Sequence, residues 1–131
     1  MQQGLDRVVG VGPGTDAAAR VERSLDAVAE AHSVDMASHG FFSHVSPTAG
    51  APDQRAHRAG IPFVAWAENI ALNQSPRAAM DSLLQSPGHY QNIVNGGLRA
   101  VGIGIVRGPQ GVYVTQSFAA FDPNSPSVRP A

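Results

Sequence analysis

Residues 101–118 read VGIGIVRGPQGVYVTQSF, and this stretch decides the fold. Val101, Ile103 and Ile105 alternate with glycine and so predict a strand. Gly108-Pro109-Gln110-Gly111 supplies a turn, and Val112–Phe118 returns as a second strand. On the two-residue period, Val101, Ile103 and Ile105 share one face, and Val112, Val114 and Gln116 share another. Upstream, Phe63–Leu72 reads as a strand with a polar interruption at Glu68-Asn69. Between these strands, Ser75-Pro76 and Ser86-Pro87 each open a helix with a capping serine and a proline in the first turn. The first of these buries Ala79, Met80, Leu83 and Leu84, and the second ends near Asn95-Gly96-Gly97.

Working outward, Asp16 to about Ser38 carries Ala18, Val21, Leu25, Val28, Ala29, His32 and Met36 at steps of three and four. This is a helix, capped by Thr15 and closed by Gly40, with a break expected near Glu22–Ser24. His39–Ala51 is irregular, and a short helix runs from Pro52 to Ala59. Helices, a strand, helices and a hairpin in that order predict an α+β fold, with an antiparallel sheet covered by helices. Residues 1–121 read as one domain with a flexible entry at 1–15, followed by a proline-rich tail at 122–131.

The 131 residues are 43% hydrophobic, enough for a core, with no apolar run of membrane-spanning length. A net charge of −1 and nine scattered basic residues exclude a nucleic-acid footprint. No cysteine is present, so packing alone stabilises the fold. No basic segment followed by an apolar run opens the chain, so no signal peptide is read in it. The expectation is a cytosolic protein or a mature form whose signal has been removed.

Three residues carry candidate chemistry. His44 follows two aromatic anchors in Gly40-Phe41-Phe42-Ser43-His44. His89 stands at the third position of a helix after Ser86-Pro87. Glu68 interrupts an apolar strand and needs a partner there, for which a histidine or a metal would serve. Two neutral imidazoles and a carboxylate are a zinc-type donor set. His32 reads as a core histidine with one hydrogen bond, and His39 and His57 as surface or helix-end residues. No H-E-x-x-H, G-x-S-x-G or P-loop occurs, and Gly102-Ile103-Gly104 lies in a strand and opens no helix.

The flanking residues carry a resemblance. Ala31-His32-Ser33, Asp35-Met36-Ala37 and Phe41-Phe42-Ser43-His44-Val45-Ser46-Pro47 are followed by Arg55, Ala59-Gly60 and Ala67-Glu68-Asn69-Ile70-Ala71. Ser86-Pro87-Gly88-His89-Tyr90-Gln91-Asn92-Ile93, Val101-Gly102-Ile103-Gly104 and Tyr113–Phe118 complete the series. The run from about Leu25 to Phe118 resembles bacterial SCP-like proteins of the CAP superfamily (cysteine-rich secretory proteins, antigen 5 and pathogenesis-related proteins). The resemblance implies an αβα sandwich with a central antiparallel sheet. It also implies a cleft lined by two histidines and two acidic residues.

His44, Glu68 and His89 match three of the four, while Ser86 stands where the second acid would fall. Leu83 stands where relatives often carry tryptophan, and the segment before Leu25 matches poorly. Metal, with zinc the first choice, would then sit on His44 and His89, with Glu68 close or water-bridged. Ser43, Glu68, Asn69, Ser86 and Tyr90 would line the cleft. The implied function is a secreted or cell-envelope binding module, monomeric, taking a lipid, sterol or protein partner. Two alternatives stay open. One is a metal-assisted hydrolase, a protease or esterase with Glu68 as the catalytic candidate. The other is a secreted scaffold with a vestigial cleft.

Overall fold

A computed structural model describes residues 16–121 of the chain. The expected entry at 1–15, its Thr15 cap and the tail at 122–131 lie outside the described residues, as do the side chains of Ala18 and Val21. Helix α1 spans Asp16–His39 and α2 spans Pro52–Arg58. Strand β1, Phe63–Asn73, precedes α3, Pro76–Gln85, and α4, Pro87–Val94. The chain then forms β2, Ala100–Gly108, and β3, Gly111–Phe121. The fold is α+β, and all the helices and strands expected from the sequence are present.

Helix α1 is unbroken through Glu22–Ser24, contrary to the expected interruption. Its 24 residues contain no proline or glycine, so no backbone feature stops it before Gly40. There Gly40 adopts φ 69°, and the amides of Gly40 and Phe41 both return to the Met36 carbonyl at 3.0 and 3.2 Å.

The sheet order is β1-β3-β2, antiparallel throughout, which puts β3 in the centre and buries Val112 through Ala119. The register pairs Ile103 with Gln116 and Glu68 with Ser117. Helix α1 lies on one face against β2 and β3, and α3 lies on the other against β1 and β3. This is the αβα layering. The α1 face packs Leu25 and Val28 against Ile61, Ala100 and Ala119, and Met36 against Ile70 and Tyr113. The α3 face packs Ala79 and Leu83 against Ala71, Val112 and Val114.

One feature departs from the sequence reading, and a second goes beyond it. Leu84 is 45% exposed and not part of the α3 stripe, which closes with Leu83. On β2 the fully covered positions are Ala100, Gly102 and Gly104, not the apolar Val101, Ile103 and Ile105. A Cβ on Gly102 would stand 2.3 Å from the Leu25 backbone, and one on Gly104 2.3 Å from Glu30 Cα. The glycines therefore let α1 lie directly on the strand. Ser33 locks the contact, donating to the Gly104 carbonyl at 3.0 Å and sharing a 2.7 Å bond with Thr115. Asp26 accepts the Ile103 amide of edge strand β2 at 3.1 Å.

Candidate functional site

Glu68 is the centre of the α1-face site. Its side chain is 1% exposed, and a bare carboxylate there would cost several kcal/mol. Arg55, reaching in from α2, supplies the countercharge. Its two terminal nitrogens donate to Glu68 Oε2 at 2.9 Å and Oε1 at 3.2 Å. The same guanidinium donates to the backbone carbonyls of His44 at 2.6 Å and Gly50 at 3.2 Å. Arg55 is thus the partner that sequence reasoning missed. The signal was present, because a buried glutamate requires a counterion and Arg55 stands in the motif series above, but no spacing rule ties that arginine to Glu68.

His44 is hydrogen-bonded to Glu68, Nδ1 to Oε1 at 2.9 Å. A carboxylate can only accept, so Nδ1 carries the hydrogen and Nε2 is left as the basic nitrogen. The His44 side chain is 47% exposed, which keeps it open to solvent. A carboxylate behind a histidine in this way fixes ring and tautomer, the arrangement that commonly backs a metal-ligating imidazole.

The segment carrying His44 is fastened at several points. The buried His32 donates from Nε2 to the Ser43 carbonyl at 2.8 Å, which is the single hydrogen bond expected for it. Burial is the main influence on its imidazole and lowers its pKa, with Arg55 acting the same way and Glu68 opposing. Asp35 accepts from the Ser46 hydroxyl at 2.6 Å and pairs with His39 Nδ1 at 2.7 Å. Burial works to raise the Asp35 pKa, but the bonds from Ser46 and His39 prevail and lower it. His39 closes α1 at the surface, and His57 lies exposed on α2 against the Phe63 ring, centroids 4.7 Å apart.

His89 is held differently. Asn69 follows Glu68 on β1 and so leaves the opposite face of the strand. Fully buried, it donates to the His89 carbonyl at 3.0 Å and to Gln116 Oε1 at 3.0 Å, and accepts from Asn92 at 2.8 Å. The His89 ring bonds Ser86 Oγ through Nδ1 at 2.9 Å. Ser86 makes no capping bond to α4, unlike Ser75, whose hydroxyl accepts the Ala78 amide at 3.1 Å in α3. Of the remaining cleft candidates, Ser43 Oγ accepts the Val45 amide at 3.2 Å, and Tyr90 is 43% exposed.

The family model for CAP, the cysteine-rich secretory protein family, matches residues 17–118. The chain belongs to the CAP family. It is similar to YkwD of Bacillus subtilis (strain 168), 34% identical over 100 residues that make up 76% of this chain and 38% of that protein. It is also similar to the membrane protein YlbC of the same strain, 36% identical over 92 residues, 70% of this chain and 25% of that one. The chain therefore spans well under half the length of these relatives.

Among solved structures, an extracellular SCP-domain protein from Bacillus anthracis str. Ames superposes with TM-score 0.68 at 34% identity. The match covers 74% of this chain and 32% of that one. An outer surface protein of Borrelia burgdorferi shares the fold at TM-score 0.68 and 18% identity, over 76% of this chain and 75% of that one. In this CAP domain, Ser86 takes toward His89 the place that Glu68 takes toward His44: an oxygen bonded to Nδ1.

The donor set defines what a metal would meet. Among the described residues no three His, Cys, Asp or Glu side chains are grouped to hold an ion. Both Glu68 oxygens are occupied by Arg55 and His44. Of the two ring nitrogens of His44, Nε2 is therefore the one left for an ion, and Glu68 is not free to serve as a further ligand.

Proposed function

We propose that this CAP domain is an extracellular or cell-envelope binding module whose His44 and His89 take up a divalent metal, zinc first, beside a surface for a lipid, sterol or protein partner. The observation that carries this reading is the 2.9 Å bond from His44 Nδ1 to a buried, Arg55-neutralised Glu68, which leaves Nε2 outward. Ser86 holds Nδ1 of His89 in parallel. Phe42 and Val45, close to His44 in the chain, and Tyr90, next to His89, are exposed side chains that a partner could meet. The relative from Bacillus anthracis is described as extracellular, which supports the location.

Glu68 acts through His44 in this reading and is not itself a ligand. The hydrolase alternative needs a carboxylate free to activate water, and Glu68 is committed to two partners. Among the described residues no carboxylate hydrogen-bonds His89. Zinc titration calorimetry tests the proposal. His44→Ala and His89→Ala should each remove most of the affinity. Glu68→Gln should lose about ten- to a hundredfold, the usual effect of a lost outer partner, and Ser86→Ala less. Because protons compete for neutral imidazoles, binding at pH 5.5 should be weaker than at pH 7.5. Unchanged affinity in both alanine variants removes the metal, and the partner-binding reading then stands on the shape of the cleft alone.

A further inference from the structure

Between α4 and β2 the chain reads Asn95-Gly96-Gly97, the only asparagine-glycine step in the protein. Asparagine is among the chemically labile residues. The backbone nitrogen of the next residue can attack its side-chain amide carbon and expel ammonia. Two things normally oppose this. A side chain on the next residue crowds the attack, and hydrogen bonds hold the reacting groups in place.

Asn95 lacks both restraints. Asn95 and Gly96 are exposed, and a Cβ built on Gly96 would meet nothing within 4 Å. Among the described residues nothing accepts a hydrogen bond from the Gly96 amide, the nucleophile. Asn95 Nδ2, the leaving group, has no partner among them either, whereas Oδ1 accepts the Gly97 amide at 2.8 Å. That bond folds the side chain back along the Gly96 peptide and draws electron density from Cγ. It also stabilises the charge that builds on Oδ1 when Cγ is attacked. The other described asparagines are protected. Asn69 is buried and bonded to His89, Gln116 and Asn92. Asn73 and Asn92 use Nδ2 as donors to Ala78 and Asn69, and precede Gln74 and Ile93.

We propose that Asn95 is a self-modification site of the folded protein, converting to aspartate or isoaspartate through a cyclic imide. The Gly96 nitrogen loses its proton to solvent and bonds to Asn95 Cγ. The Cγ–Nδ2 bond breaks, and Nδ2 takes up a proton and leaves as ammonia. Water then opens the imide. Opening at Cγ gives aspartate, and opening at the backbone carbonyl gives isoaspartate, with the chain running through Cγ. One water is consumed and one ammonia released, with no oxidant or cofactor. The new carboxylate stands at the C-terminal end of α4, where the helix dipole disfavours an anion. Gly96 and Arg99 line the same pocket, so the added negative charge offsets that guanidinium. The proposal is independent of the metal and partner readings at His44 and His89.

The test is incubation of the full chain at pH 8.5 and at pH 5.5, followed by tryptic mapping of peptide 78–99, which holds both Asn92 and Asn95. Fragmentation should place the conversion at Asn95. Isoelectric focusing should show a new band shifted to the acidic side by a single charge, and ammonia should appear in equal amount. Conversion should be faster at pH 8.5, because the nucleophile is the deprotonated amide. Gly96→Ala crowds the attack, and Asn95→Gln requires a larger ring, so each should lose most of the conversion. Gly96 has no positive φ and open space at its Cβ, so Gly96→Ala should keep the wild-type melting temperature.

An unconverted Asn95 after incubation at pH 8.5 overturns the proposal. So does conversion that begins only in urea, because the folded geometry would then protect Asn95. Equal rates in wild type and Gly96→Ala overturn it as well, as does conversion of the peptide at Asn92 in place of Asn95.

Discussion

Glu68 and Asn69, consecutive on β1 and so on opposite faces of the strand, hold the two candidate histidines by different means. On the α1 face, Glu68 fixes the ring of His44 through charge, with Arg55 as buried counterion and His32 and Asp35 fastening the loop behind it. On the other face, Asn69 fixes the backbone of His89 through neutral amides, with Gln116 and Asn92 completing the set, and among the described residues the ring's hydrogen-bond partner is a serine hydroxyl. Neutral amides leave no net charge behind when one is removed. Ionic groups do. The charged half is therefore the more brittle, and the difference between the halves is open to measurement.

The largest effect is expected at Arg55. Arg55→Met leaves Glu68 buried without its counterion and should destabilise the fold by about 3–5 kcal/mol in urea unfolding. Asn69→Ala, which orphans amides only, should cost about 1–3 kcal/mol. Equal losses, or a larger one at Asn69, would break the contrast between the faces.

A somewhat smaller effect sharpens the same contrast in packing. Gly104→Ala drives a Cβ to 2.3 Å from Glu30 Cα, a backbone atom that cannot swing aside. The cost should approach the upper end of the roughly 1–3 kcal/mol typical of overpacking. The neighbouring Ile105→Ala, on the open face, should stay near or below 1 kcal/mol. Matching melting temperatures for these two variants would show that α1 does not sit on β2 as described.

The smallest effect is the pH dependence of the α1 face. The His32 pKa is lowered in the folded protein, so the unfolded chain binds its proton more readily. Its contribution to stability is therefore complete above about pH 6.5 and declines as pH falls below that value toward the folded pKa. Asp35, also lowered, adds a second decline that begins only below about pH 4, as its carboxylate protonates. Urea midpoints measured from pH 8 to 3 should fall in these two stages, and His32→Gln should remove the first. A midpoint that rises between pH 7 and 5.5 would contradict the buried, neutral His32.

The sequence by itself determined the elements and their order. Proline, glycine and serine punctuate the chain at Gly40, Pro52, Ser75-Pro76, Ser86-Pro87 and Gly108–Gly111, and local sterics act at those positions whatever the rest of the fold does. It also determined that Glu68 needs a partner, since a carboxylate among apolar strand residues carries a desolvation cost wherever the strand lies. Tertiary structure alone decided which partner. Arg55 is 13 positions away on a separate helix, and no local spacing rule links it to Glu68. It also decided which side of β2 is buried. Alternation marks two faces, but only the approach of α1 makes the glycine face the inner one, because close contact between two backbones rewards the missing side chain. The serine hydroxyl at Ser86 was settled in the same way. As sequence, Ser86-Pro87 and Ser75-Pro76 are the same helix start, and only the ring of His89 within 2.9 Å of Ser86 turns one of them from a cap into part of the site.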